Sequence, residues 1–318
     1  MAVVAVAQRE FQSLWRSILS LSSNIVHASR LRIVIICCLL TCSSAILPLG
    51  GGLGGRTPRG RWGRSKYRPT RRICPPVRAA GDLQVQSLLT AQERKKLDRD
   101  EDKYFYSLPR MVQHVDESFL DQLTALYRRV IPPNSHVLDL CTAFDSHLPL
   151  DVPYASVTGQ GMNEKELEAN PRLTRWYVRD QNENPTIDMP DRSVDAVVMC
   201  VSIQYMARPE ELFQEIFRVL KPGGVVVISF SNRMFYSKAI QAWRDGTDRS
   251  RADLVSSYFT NIQGFTRPEV ITSVGLPGDP PEFLSFGGGG TQTARAIRYG
   301  GVPDPFTAVI AYRNLKRV

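Results

Sequence analysis

The stretch Val137-Leu138-Asp139-Leu140-Cys141-Thr142-Ala143-Phe144-Asp145-Ser146-His147-Leu148-Pro149 decides the fold. Val137 to Cys141 is a short apolar run interrupted only by Asp139. It has the character of a strand buried on both faces, as a parallel sheet requires. Such a strand commonly feeds a glycine-rich turn that lets backbone close on a cofactor. Here Cys141, Thr142, Ala143 and Phe144 occupy the turn and no glycine is present. The strand points to a ligand-binding edge, and the turn points to an altered grip at that edge.

Working outward, Val115, Phe119, Leu120, Leu123, Leu126, Tyr127 and Val130 recur at three- and four-residue spacing. That spacing predicts an amphipathic helix, ended by Pro132-Pro133. Ahead of it lie the highly charged Leu88 to Lys103, a short helix or exposed connection, and the aromatic run Tyr104-Phe105-Tyr106-Ser107-Leu108-Pro109-Arg110. Downstream, strands are predicted near Ala155 to Gly159, over Trp176 to Arg179 and over Val194 to Val201. Asn163 suits the cap of a short helix reaching Asn170. Pro209-Glu210-Glu211 opens a further helix, with proline in the first turn and acids at the positive end. Lys221-Pro222-Gly223-Gly224 stops that helix and turns the chain into a fifth strand, Val225 to Phe230.

Strands alternating with helices predict an α/β fold with a doubly wound, mostly parallel sheet. In such sheets ligands bind outside the carboxyl ends of the strands. Beyond Phe230, Met234 to Arg244 and Ala252 to Phe259 are expected as helices, and Pro277 to Asp304 as a Gly- and Pro-rich connection. Phe306 to Tyr312 is expected as an antiparallel closing strand. Gly287 to Gly290 lacks the Lys-Ser/Thr and the feeding strand of a phosphate loop.

The net charge of +9 over 318 residues suggests a polyanionic partner until it is divided along the chain. Residues 1 to 80 hold thirteen Lys/Arg and the single acid Glu10, which leaves 27 basic and 30 acidic residues in 81 to 318. The folded part is slightly acidic, and no nucleic-acid partner is expected. The acid-poor leader, residues 1 to 80, reads as a disordered organelle transit peptide, chloroplast first and mitochondrion as the alternative. Within it, Ile33 to Leu49 is an apolar run short of the roughly 20 residues of a membrane-spanning helix. It has three readings: a removable targeting segment, a membrane anchor or a secretory signal. Membrane association is expected only if this run is retained. Residues 81 to 110 form an N-terminal extension or lid, and 111 to 318 the main domain. Cys141 and Cys200 are expected as buried strand residues, in a reducing compartment without a disulfide framework.

Taken in order, Val137-Leu138-Asp139-Leu140, Asp180, Asp191-Arg192-Ser193-Val194-Asp195-Ala196-Val197-Val198 and Arg218-Val219-Leu220-Lys221-Pro222-Gly223-Gly224 resemble a class I S-adenosylmethionine-dependent methyltransferase. The closer likeness, over residues 104 to 312, is to the methyltransferase type 11 group. Tyr106-Ser107-Leu108-Pro109-Arg110, Ser146-His147-Leu148-Pro149, Gly161-Met162-Asn163 and Ser231-Asn232-Arg233-Met234-Phe235 are similar to a branch found in bacteria and plastid-bearing organisms. The resemblance implies a Rossmann-like methyltransferase fold, S-adenosyl-L-methionine as cofactor, and methyl transfer to a small-molecule or lipid-like acceptor.

It also implies site residues. Asp139 stands at the family's acidic position after the first strand, followed by Thr142 and Ala143 in place of its glycines; the other reading of Asp139 is a strand-end residue that only holds backbone. After the second strand the family's ribose-binding acid is missing, and Gly161, Met162 and Asn163 occupy its place. Asn163 or Gln160 offers a neutral, weaker partner to a hydroxyl, while Asn163 equally suits a helix cap. Asp180, Gln181 and Asn182 match the adenine-side position. Ser202 lies where backbone flanks the cofactor, and Tyr205 faces the acceptor or packs on the next helix. For proton handling His147, Tyr205 and His114 are the catalytic candidates; His136 begins a strand and reads as structural. His114 and Arg110 belong to the lid. No metal-ligand spacing is present. A second class of function stays open, a non-catalytic binding or assembly subunit on the same fold. A nicotinamide dehydrogenase would need Gly-x-Gly-x-x-Gly after the first strand, which is absent.

Overall fold

Strand β1 (His136–Leu140) lies inside a seven-stranded sheet, third in its strand order, in the computed structural model, which describes residues 85–280 and 289–315. The leader readings, including Ile33 to Leu49, fall outside the described residues. Ahead of β1 come the single turn α1 (Asp102–Phe105) and the amphipathic helix α2 (Glu117–Val130). Then follow β2 (Ser156–Gly161), α3 (Glu164–Ala169), β3 (Arg175–Val178), β4 (Val194–Cys200), α4 (Pro209–Val219) and β5 (Leu220–Phe230). The C-terminal part adds α5 (Gln241–Arg244), α6 (Asp248–Thr260), β6 (Glu269–Ile271), α7 (Gly289–Tyr299) and β7 (Thr307–Tyr312). The strand order is β3-β2-β1-β4-β5-β7-β6. β1 to β5 run parallel; β7 is antiparallel to both β5 and β6. The order reverses between β1 and β4, so the binding crevice of a doubly wound sheet lies at their carboxyl ends.

Alternation along the strands supplies two apolar faces. Leu138, Leu140, Val197, Met199 and Ile228 pack with Phe213, Ile216, Trp243 and Phe259 on one side. Val137, Ala196, Val198 and Val227 pack with Phe119, Leu123 and Tyr127 of α2 on the other. The predicted stripe of α2 is therefore the stripe that is buried, and Asp116 caps the helix by accepting from Phe119 N–H at 2.8 Å. Asn163 caps α3 in the same way, accepting from Lys165 and Glu166.

Of the two readings of Leu88 to Lys103 the connection holds, since the run is irregular and only Asp102 and Lys103 enter a helix. Several other expectations are corrected. Lys221 to Gly224 does not end an element; it bulges within β5, where Val194 pairs with Leu220 and Ala196 with Val225. Gly223 takes φ +81 there, a conformation open to glycine. Met234 to Arg244 is helical only over its last four residues, because Ile240, Gln241 and Ala242 donate their N–H groups to Gln204, Lys95 and Glu93 carbonyls. The helix expected at Ala252 starts earlier, at Asp248, behind a Thr247–Ser250 capping box. The Pro277 to Asp304 connection contains α7, held by a buried Arg295–Asp279 ion pair of 2.6 Å. Edge strand β6 gave no local signal.

Candidate functional site

The carboxyl ends of β1, β2 and β4 open onto a cavity of about 610 Å³, within the range of roughly 300–1,000 Å³ common for small-molecule sites. Its floor is the altered turn after β1. Thr142 N–H donates to Gln160 O at 2.8 Å and Cys141 N–H to Gln160 Oε1 at 3.1 Å, which binds the turn to β2. The close approach that glycine normally provides is supplied from the neighbouring strand: a Cβ on Gly161 would lie 2.4 Å from the Thr142 carbonyl oxygen. Cys141, His147 and Val201 line the cavity with positive φ values of 54°, 54° and 47°. Non-glycine residues reach that region only under constraint, and a β-branched valine least readily.

Asp139 lies 3% exposed at the end of β1, with Oδ2 unpartnered among protein groups. Burial pushes its carboxyl up to about 7, against the opposite pull of the Thr142 and Ser146 hydroxyls and of His147. Thr142 Oγ1 is also buried without a partner. Ala143 contributes its carbonyl, which accepts from Asn170 Nδ2. Cys141 and Cys200 do not sit wholly inside strands as expected. Cys200 is the last residue of β4 and Cys141 the first beyond β1; both are partly exposed and line the cavity, and burial pushes both thiols up to about 12.

On the β2 side, Asn163 lines the cavity but its amide is fully used. Oδ1 caps α3, and Nδ2 donates to the Tyr106 and Ser107 carbonyls at 2.9 and 3.1 Å. Gln160 is likewise committed, through Cys141 N–H and the Gly161 and Arg179 carbonyls. Met162 adds an apolar wall. Beyond β3, Asp180 Oδ1 accepts from Asn182 N–H, while Asn182 ties the loop to Asp102 and to the backbone of Tyr205 and Ala207. Gln181 is different: it is 3% exposed, lines the cavity, and neither Oε1 nor Nε2 has a protein partner. Each such orphaned group costs about 1–3 kcal/mol.

After β4, Ser202 Oγ donates to the Cys200 carbonyl, and Tyr205 Oη accepts from Phe235 N–H at 2.9 Å. Burial raises the Tyr205 hydroxyl, so it stays protonated. The aromatic segment Tyr104 to Arg110 packs against Phe235. Phe105 meets Tyr106 and Phe235 edge-on at 5.0 and 5.1 Å, with the Arg110 guanidinium 4.4 Å from the Phe105 ring. His114 packs on Phe235, and burial together with Arg110 and His147 lowers its titration. His136, read as structural, bonds Ser156 across β1 and β2 and does not line the cavity. His147 Nδ1 lies 3.2 Å from Asp145 Oδ2. Asp145 and Gln113 were missed at the sequence level; the Asp-x-His spacing was the available signal for the first. Among the described residues no group of three or more His, Cys, Asp or Glu could hold a metal ion, and no helix is long and apolar enough to cross a membrane.

The family described as "Methyltransferase domain" matches residues 146–228. A malonyl-[acyl-carrier protein] O-methyltransferase of Marinomonas sp. (strain MWYL1) is 39% identical over 102 residues, 26% of this chain and 38% of that protein. The chain thus spans well under half the length of this curated relative, and only 20% of a second, from Mycolicibacterium smegmatis, at 41% identity over 51 residues. A SAM-dependent methyltransferase structure from Aquifex aeolicus has a TM-score of 0.40 at 15% identity, covering 62% of this chain and 93% of that one. The matched stretch runs from the β1 turn into β5 and the cavity opens at the switch point of the same sheet, so over residues 146–228 the chain is similar to the methyltransferase domain family.

Proposed function

We propose that the chain binds S-adenosyl-L-methionine in the cavity at the carboxyl edge of the sheet and transfers its methyl group to a small-molecule or lipid-like acceptor. The observation that carries this reading is the set of buried polar atoms without partners around one cavity: Asp139 Oδ2, Thr142 Oγ1 and both amide atoms of Gln181. An amide with a free donor and a free acceptor suits a heterocycle edge, and a carboxyl beside the β1 turn suits a cationic amino group. Asp139, Thr142, Asp180 and Gln181 are the residues that would hold the cofactor. When bound, it supplies a methyl group already activated on a positively charged sulfur. The chain's contribution is then chiefly alignment and exclusion of water. Tyr205, Phe235 and the lid residues Phe105, Tyr106 and Arg110 enclose the acceptor side. No observation favours a purely non-catalytic role over this one. The leader composition supports delivery to the chloroplast as part of the same reading.

Calorimetric titration of the full chain with S-adenosylmethionine tests it. Saturable binding is expected, weakened several-fold or more by Asp180→Ala and by Gln181→Ala. Absence of binding at millimolar cofactor in folded protein overturns the proposal.

A further inference from the structure

Asp145 and His147 form a dyad whose geometry the cofactor site does not require. His147 N–H donates to Asp145 Oδ1 at 2.9 Å, and the ring Nδ1 faces Asp145 Oδ2 at 3.2 Å. Gln113 Nε2, reaching from the lid side, donates to the same Oδ2 at 3.1 Å, so the carboxylate is fixed from two elements. The His147 carbonyl is held by Thr124 Oγ1 of α2 at 3.0 Å, and the neighbouring Ser146 and Leu148 are each 3% exposed. The side chain of His147 is 13% exposed, and its backbone is kept at φ +54. A non-glycine residue held in that region by a fully bonded loop is a constrained one, and such constraints cluster at functional sites.

We infer that His147 is the general base of the methyl transfer, that Asp145 is its positioning residue, and that the acceptor reacts through a hydroxyl or amine that must lose a proton. The inference rests on the methyl-transfer reading above. With Nδ1–H directed to Asp145, the bare nitrogen is Nε2, and no described residue makes a hydrogen bond to it. His147 lines the cavity, as do Asp139 and His114. Nε2 takes the acceptor's proton as the acceptor atom bonds to the methyl carbon. The carbon–sulfur bond of the donor breaks with its electron pair left on sulfur, and the imidazolium returns the proton to water at the cavity mouth. A carboxylate acceptor is already ionised at neutral pH and has no use for such a base. The lining also disfavours one: five carboxylic side chains (Asp102, Asp139, Asp145, Glu166, Asp180) stand against three guanidinium groups (Arg110, Arg179, Arg233), and Arg233 is paired with Asp304.

The charged and titratable groups that interact with the imidazole are Asp145 and Asp139 on its own loop and strand and His114 from the segment before α2; Arg110 acts on His114, and Cys200 at the end of β4 interacts with Asp139 and Asp145. The first test is nitrogen NMR of the full chain labelled with ¹⁵N-histidine, its four histidines assigned with the help of His147→Gln. Neutral His147 is expected as the Nδ1–H tautomer, and Asp145→Asn is expected to raise the share of the Nε2–H tautomer. An Nε2–H tautomer in the unmutated chain overturns the dyad. So does a tautomer ratio that Asp145→Asn leaves in place.

The second test incubates the chain with methyl-tritiated S-adenosylmethionine and a protein-free plastid metabolite extract, then treats the products with mild alkali. Ethers and methylamines keep the label, whereas methyl esters release it as volatile methanol. Alkali-stable label supports the inferred acceptor class, and volatile label overturns it. Loss of cofactor binding in calorimetry would instead strike the methyl-transfer reading, so the two failures are distinguishable.

Discussion

Asp139 carries a conflict between burial and charge that has a measurable consequence. Its folded carboxyl titrates near 7, pushed up by burial, while an unfolded aspartate titrates near ~3.9. The folded state therefore holds a proton that the unfolded state has released between those two values. The stabilisation is complete below the lower value and is lost as pH rises through the higher one, an upper bound of roughly 4 kcal/mol. Asp145 acts in the opposite sense. The His147 imidazole holds its carboxyl well below the ordinary range, so its contribution is present above ~3.9 and lost on acidification. Urea unfolding from pH 4 to 8 is expected to show stability falling through the upper window, with Asp139→Asn flattening that slope; an unchanged slope would contradict the burial account. Gly161 is a second residue-scale test. A methyl there would meet the Thr142 carbonyl oxygen at 2.4 Å, against backbone that cannot turn away, so Gly161→Ala is expected to lower stability by about 1–3 kcal/mol and to weaken cofactor binding. The missing glycines of the β1 turn were legible in the sequence. Their counterpart on β2 was not, because the closeness depends on Leu140 lying opposite Gln160, a cross-strand register that no local pattern encodes.

At the scale of elements, the segment Asp102 to Arg110 is tied to the loops after β2 and β3 and to α3. Asn163 takes the Tyr106 and Ser107 carbonyls, Glu166 accepts from Arg110 N–H, and Asn182 donates to Asp102. Lys238, only 1% exposed, reaches the Asp100 carbonyl at 2.9 Å, Asp98 at 3.0 Å and Asp102 at 3.3 Å. Asn163→Ala removes a helix cap, worth about 1 kcal/mol, together with both lid bonds. Hydrogen exchange should then quicken at Tyr104, Tyr106, Ser107 and Arg110 while β1 and β4 amides stay protected; uniform exchange across the protein would show that the lid is not a separate unit. Lys238→Met strips two carboxylates of a buried partner and is expected to cost about 3–5 kcal/mol in urea unfolding. The apolar stripes of α2 and α4 were legible because helical periodicity and burial coincide. The irregular run from Met234 was not, because tertiary carbonyls of Gln204, Lys95 and Glu93 take the N–H groups that a helix would have used. In the candidate site the same limit applies: Asn163 and Asn182 carry the expected residue types, yet their amides are spent on caps and loops, while Gln181 is left open.

For the whole molecule, the alternation of strands and helices made the parallel half of the sheet legible, whereas the insertion of β7 between β5 and β6 rests on long-range antiparallel pairing. Charge divides unevenly along the chain. Thirteen Lys/Arg against one acid fall in residues 1 to 80, and 27 basic against 30 acidic residues in the remainder. If the leader is an address, it should act without the body. Residues 1 to 80 fused to a fluorescent protein and expressed in leaf cells are expected to bring the signal into chloroplasts and to be removed there, which a shortened fusion on a denaturing gel would record. Signal in mitochondria would reassign the organelle. A full-length fusion spread through the cytosol, or retained on membranes through Ile33 to Leu49, would overturn the transit-peptide reading, and it would move the search for the acceptor to a different compartment.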